Sequence, residues 1–414
     1  MANQFLTNDI VTFEALDVLE NTDKVMMRIN GEYSSEFEFG GTVLGQTLNI
    51  RKPPRYLGRL GQAAQIEAIT ETFVPLTLSY QRGVDTQVSS QNLTLDIDDY
   101  RKRVLMPQIV RLNNLIDQDV CNLAQGLNNW VGTPGTTPTT LTTYGLAKVK
   151  LDNNACPEED RYAWLNPIAD FTLMDNLKGL FNSGKAISAQ YNSGSMTESG
   201  TLGMGWDMDQ NIYVQTVGTL GAATPVVGTA PANGATTIST TGWSTSTLNA
   251  GDKISFVSTT TPVNLVNPQN YQNMGQPQQF VVTATTSDSG GTMVIPFAPA
   301  MYGPGQQLQN VTNLPAVSTA VYVYDTPAAS FSTITGKSTP FNIVGNKNFG
   351  TLAMVDMPLP GGVDTASRAA SKKSGKAIRV IRDYVATTDQ WIQRLDVLYG
   401  TAVLRQELAC VVGG

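Results

Sequence analysis

The sequence predicts an α+β protein with a long helix, an extended loop and an inserted all-β module. Three observations predict it. The segment "LDIDDYRKRVLMPQIVRLNNLIDQDVCNLAQGL" places Leu105, Ile109, Leu112, Ile116, Val120 and Leu123 at helical spacing, which makes one apolar face. Of 27 basic and 34 acidic residues in a chain of 414, only five lie between Val217 and Pro340: Asp252, Lys253, Asp288, Asp325 and Lys337. Near the C-terminal end, "GKAIRVIRDYVATTDQWIQRLDVLYG" reads as two strands joined by a turn around Thr387 to Gln390.

Taken in order, residues 8–20 read as a short amphipathic helix, with Asn8 as its N-cap and Val11, Leu16 and Leu19 near helical spacing. From Gly40 the texture becomes extended and glycine-rich. Four basic residues (Arg51, Lys52, Arg55, Arg59) and no acid fall between Gly40 and Ile66, and "EAITETFVPLTLSY" then has strand-like content. Together these predict a long hairpin or loop projecting from a body. The helix that follows begins among Asp96, Asp98 and Asp99, as the helix dipole favours. At ~1.5 Å per residue its roughly 28 residues would reach about 40 Å, the length of a domain's spine. Pro107 is expected to kink it.

"VGTPGTTPTT" reads as a loop, and "NPIADFTLMDNLKGLFNSG" as a second helix ending near Gly184. The charge-poor stretch then carries short β-type runs separated by turn residues, among them "ATTIST", "DKISFVS", "QQFVVTATT", "TMVIPF" and "TAVYVYD". Such runs predict a small barrel or sandwich. Similar charge content on both sides makes it an insertion into one host domain. After it, "FNIVGNKNFGTLAMVDMPLP" reads as a helix or strand followed by a proline-bounded strand.

Composition excludes much chemistry. The chain has no histidine, so Ser-His-Asp, Cys-His and two-histidine zinc sites are ruled out. Its three cysteines (Cys121, Cys156, Cys410) are far apart and form no CxxC, which speaks against a disulfide framework or zinc site and fits a reducing compartment. No secretory signal and no apolar run of membrane-spanning length is visible, and a net charge of -7 implies no large basic surface. "WDMDQNIY" alternates Asp207, Asp209 and Asn211 like the start of a calcium loop, but the positions that need Gly and Glu hold Ile212 and Gly218. These aspartates are expected to be solvent-facing strand carboxylates. A glycosidase pair would need a second acid in a recognisable context, and there is none. No phosphate-cradling glycine motif is present. No catalytic, cofactor-binding or metal-binding residue is assigned, and no cofactor is expected.

Two sets of charges are read as contacts between subunits. Arg51, Lys52, Arg55 and Arg59, with Tyr56 among them, form a basic loop that would meet an acidic surface on a neighbouring copy. A phosphate contact is the alternative, since it needs no motif. In "QRLDVLYG", Trp391, Leu395, Val397 and Tyr399 share one strand face with Gln393, leaving Arg394 and Asp396 as neighbours on the other with Ile392 and Leu398. An aspartate beside an arginine stays ionised and is a poor acid or base, so this pair is read as structural.

The order of these elements resembles the major capsid proteins of tailed double-stranded DNA bacteriophages, with the Hong Kong ninety-seven fold, and within them the subgroup with an inserted β-barrel domain. "TFVPLTLSYQRGV" before the long helix resembles the extended loop returning into the spine. "SGTLGMGWDMDQNIYVQTVG" resembles the strand that leads into the insertion, and "GKAIRVIRDYVATTDQWIQRLDVLYGTAVLRQELACVV" the closing strands. The resemblance runs from about residue 65 to the end. It implies an N-terminal arm (1–40), an extended loop (41–80), a peripheral domain with the spine helix (81–150), and an axial domain in two parts (151–216 and 341–375). These would be joined by the barrel (217–340) and the closing strands (376–414). It also implies self-assembly as hexamers and pentamers into an icosahedral shell built in the host cytoplasm. A scaffolding protein, a portal and in some cases a decoration protein would be its partners, with DNA enclosed without sequence-specific binding. Some members cross-link through a loop lysine. Lys52 is the loop's only lysine, and no partner for it can be identified, so cross-linking is not predicted. The alternative is a tail or decoration protein whose β module binds a glycan or receptor, with Trp243, Tyr271 and Tyr302 stacking on sugars; these rings are expected instead to belong to the module's core or its packing edge.

Overall fold

The computed structural model describes residues 12–13, 15–16, 28–33, 47–59, 61–89, 106–177, 201–370 and 376–413. It is a mixed α+β structure, mostly sheet, and it divides into two compact units.

One unit comprises Met1–Ile50, Val74–Cys121 and Gly350–Ala402. Its frame is an antiparallel sheet in which the long strand Gln390–Val403 pairs on one side with Ala377–Val385 and on the other with Tyr80–Ser89. Thr365–Ala370 continues the sheet beyond Ala377–Val385, and Gly350–Val355 also pairs with the long strand. Helix α1 (Met106–Cys121) lies against this frame, with Ile109, Leu112, Ile116 and Val120 fully enclosed as their spacing predicted. Polar contacts fix the packing. Gln108 donates to Thr86 Oγ1 at 2.9 Å, Arg82 grips Asp119 through two nitrogens at 2.9 Å, and Tyr399 donates to the same carboxylate at 2.5 Å.

Pro107 is the second residue of α1 as described, and the preceding turn, which a kink there would involve, lies outside the described residues. One expectation about the helix changes. Past Cys121 the chain tightens into a 3-10 turn, Asn122–Gly126, instead of continuing as α-helix. Asp96, Asp98, Asp99 and Leu105 lie outside the described residues. So do Asn8, Val11 and Leu19 of the N-terminal segment, where Thr12, Phe13, Ala15 and Leu16 are helical.

The second unit comprises Arg51–Phe73, Asn122–Phe349 and Val403–Gly414. It holds a five-stranded sheet in the order Asn129–Val131, Ala409–Val412, Asn342–Asn346, Arg161–Leu165 and Gly205–Met208. Asn342–Asn346 and Ala409–Val412 are buried along their whole length, so neither strand alternates between buried and exposed residues. Helix α2 (Leu141–Asn153), which the sequence reading did not identify, covers this sheet with Tyr144, Ala147 and Leu151. Helix α3 (Pro167–Leu177) starts where "NPIADF" suggested, and its expected continuation to Gly184 lies outside the described residues.

The charge-poor stretch contains a closed six-stranded antiparallel barrel. Around it run Lys253–Val257, Gln279–Val282, Thr292–Met301, Ala235–Thr241, Val226–Val227 and Ala320–Val323, which pairs back with the first. Phe256, Phe280 and Phe297 fill it, with ring centroids 5.8 and 5.1 Å apart. Closure explains how strands so short and so poor in charge avoid presenting open edges.

Candidate functional site

The loop cations do not act as one group. Arg51 pairs with Glu71 at 3.1 Å on an exposed surface, while Arg59 folds back onto the carbonyls of Gly61 and Ala63. Arg55 reaches Glu407 at 3.2 Å, and Lys52 lines the same cavity as Arg55 and Arg405. Glu67 shapes the loop from within by accepting the backbone N–H groups of Leu57 and Gly58, both at 2.8 Å. Those bonds, led by the one from Leu57, hold its carboxyl below the usual range. The loop's apolar side chains remain on the outside: Ile66 is 98% exposed, Ile69 69% and Phe73 64%, with Tyr56 and Leu57 also exposed.

Arg394 and Asp396 are neighbours on one strand face, as the alternation predicted, with Arg394 Nε 2.7 Å from the carboxylate. Arg379, directly across the hairpin from Asp396, adds a second contact at 2.8 Å. Asp396 is 1% exposed, so the carboxylate is a buried anion between two guanidinium groups. On its other flank it faces Gly83, where a Cβ would sit 2.7 Å from Asp396 Oδ1, so glycine there makes room for the carboxylate.

Two of the module's five charges, Asp252 and Lys253, are fully buried. Asp252 accepts Gly218 N, Asn249 N, Gln215 Nε2 and the Tyr324 hydroxyl at 2.8–3.1 Å. Burial raises its pKa, and these four hydrogen bonds oppose the rise. Lys253 is fully enclosed. Its Nζ donates to the carbonyls of Leu127 at 2.5 Å and Gln125 at 3.2 Å and lies 5.0 Å from the Phe341 ring centroid. Burial brings its pKa down to about 7. Gln279 accepts Trp130 N and Lys150 Nζ, both at 2.7 Å, and donates to Trp130 O and Asp325. Lys253 and Gln279 thus tie the barrel to the segment that follows α1.

One expectation is corrected. Asp209 is not a solvent-facing carboxylate. It is 5% exposed, lies just past the strand Gly205–Met208, and accepts the N–H of Asn211 in a turn; Asp207 is half-buried. Trp243 is buried, stacked on Phe331 and donating to Thr240 Oγ1 at 2.7 Å, so its face is not available to a sugar. Tyr271 and Tyr302 are half-buried.

The three cysteines are buried and form no disulfide, and burial pushes Cys156 up to about 11 and Cys410 to about 12, away from thiolate chemistry. Among the described residues, no three acidic or cysteine side chains converge on a metal position, and no helix is long and apolar enough to cross a membrane.

Sequence reasoning missed Arg379, Glu407, Lys253 and Gln279. Only Arg379 left a signal, because the hairpin turn sets a register that puts it opposite Asp396.

No protein-family model matches the sequence, and no curated protein matches it. Among solved structures, a chain from Mycobacterium phage Che8 is similar over 94% of this chain and 90% of its own, at 10% identity and a TM-score of 0.45. The capsid structure of the cyanophage P-SCSP1u is similar over 89% of this chain and 83% of its own, at 11% identity and a TM-score of 0.43. The asymmetric unit of the bacteriophage PhiM1 mature capsid is similar over 89% and 82%, at 9% identity and a TM-score of 0.39.

Proposed function

We propose that this chain is the major capsid protein of a tailed double-stranded DNA bacteriophage, a structural protein without enzymatic activity that self-assembles into an icosahedral shell. The observation that carries the reading is the loop between Arg51 and Phe73, with Ile66, Ile69 and Phe73 all more than half exposed. Apolar side chains in such a run are covered in a working molecule by another surface, and in a shell that surface is a second copy. Arg51 and Arg59 on the loop, and Arg394 beside Asp396 on the sheet, supply charges for the same contacts, while Lys52 and Arg55 anchor the loop's base. The net charge of -7 suits a wall that encloses DNA without binding it in a sequence-specific way.

In this reading the subunits form hexamers and pentamers, the shell is built in the host cytoplasm with a scaffolding protein and a portal, and the barrel braces its host domain. The test is negative-stain electron microscopy of the purified chain, alone and with Ile66→Asp and Ile69→Asp together. Shells, tubes or spirals from the parent chain and none from the folded double variant are expected. Shells of normal diameter from the variant would refute the loop's role.

A further inference from the structure

The cavity at the base of the loop has the features of a binding site. It measures about 390 Å³ and lies where the loop base, the barrel and the Arg405–Leu408 segment meet within one compact unit. That volume is in the range of small-molecule pockets, roughly 300–1,000 Å³. Three cations line it, Lys52, Arg55 and Arg405, against the single carboxylate of Glu407. This is a local excess of positive charge in an acidic chain.

Its wall also holds two carboxamides, Asn128 and Gln278, each 3% exposed. Both turn their nitrogens to one carbonyl, Gln279 O, at 3.0 and 2.9 Å. That shared acceptor fixes which end of each amide is which. Asn128 Oδ1 and Gln278 Oε1 are left buried with no hydrogen-bond partner among the described residues. A buried carbonyl oxygen without a donor costs about 1–3 kcal/mol, so two on one wall call for something that brings donors.

We propose that this cavity binds a small hydroxylated anion, with its acidic group on Lys52 and the neighbouring guanidinium groups and its hydroxyls donating to Asn128 Oδ1 and Gln278 Oε1. A sugar phosphate and a hydroxy-carboxylic acid share this chemistry. The half-buried Tyr302, also on the wall, offers a ring for the carbon skeleton. Burial lowers the Lys52 pKa, as expected of an ammonium held in a recess without a full anionic partner. The proposal goes beyond the shell-forming role and does not depend on it.

The test is thermal unfolding of the full chain at constant ionic strength with ribose 5-phosphate, citrate, inorganic phosphate or glycerol, repeated on Lys52→Met. Titration calorimetry of the same pairs supplies affinities. Ribose 5-phosphate or citrate should raise the midpoint more than phosphate does, and glycerol should have no effect. Lys52→Met should weaken the better ligand at least tenfold. Whichever of the two binds more tightly identifies the acid class. Equal shifts from phosphate and the hydroxylated anions would remove the role of the two amides. Shifts unchanged in Lys52→Met would reduce the effect to general salt stabilisation and overturn the site.

Discussion

Asp396 in the first unit and Lys253 in the second are both ions withdrawn from water, and their surroundings accommodate them in different ways. The sheet that carries Asp396 is rich in charge, and the carboxylate takes two guanidinium groups, one across the hairpin and one along its own strand. The barrel that supplies Lys253 is almost without charge. Its ammonium relies on two backbone carbonyls and an aromatic face. Burial of a charge held only by dipoles loosens its proton, and the Lys253 pKa falls to about 7. The comparison separates two uses of a buried ion, as the hub of a salt-bridge network and as a tether between a module and its host.

The sharpest way to break the comparison is at Lys253. Lys253→Ala leaves the carbonyls of Gln125 and Leu127 without their donor and opens a cavity, and should cost about 3–5 kcal/mol by urea unfolding. Lys253→Met keeps the stem and sheds the buried charge, and should cost about 1 kcal/mol. Equal losses would mean that the charge, not the stem, carries the tether. At Asp396, replacement by Ala leaves Arg379 and Arg394 facing each other, one of them largely buried. A loss of about 2–4 kcal/mol is expected, and a neutral result would show that solvent already screens the cluster.

A pH series sharpens the contrast. The folded chain releases the Lys253 proton near 7, whereas the unfolded chain holds it to the ordinary value of 10.5. Across that window the unfolded state binds more protons, so stability should rise with pH by up to about 1.4 kcal/mol per unit and then level off. Lys253→Met should lack this rise, and the same slope in both proteins would assign it to another group. The smallest effect is expected at Arg394, whose side chain is 46% exposed. Arg394→Ala should cost no more than about 1 kcal/mol, because Arg379 remains on the carboxylate.

Much of this frame was legible in the residues. Alternation in "WIQRLDVLY" assigned the two faces of the long strand correctly, because a strand with one buried face has to repeat every second residue. The apolar spacing of Ile109, Leu112, Ile116 and Val120 gave the packed face of α1 for the corresponding helical reason. Helix α2 was harder, because "LTTYGLAKVKLDN" distributes its apolar residues around the axis and leaves Leu146 and Val149 exposed. Asp209 was misread because alternation was carried one residue past the end of its strand.

The sequence by itself determined the local periodicities, the contrast between charge-rich and charge-poor regions, and the absence of a histidine-based catalyst. Those properties depend only on residue type and near neighbours. Only the tertiary structure decided the destinations of the charges. Arg55 meets Glu407, Lys253 meets the carbonyls of residues 125 and 127, and Asn128 and Gln278 share one acceptor at a cavity wall. Each of these contacts except the one between adjacent residues joins positions separated by more than 100 residues. Chain folding sets such meetings, and no spacing rule encodes them.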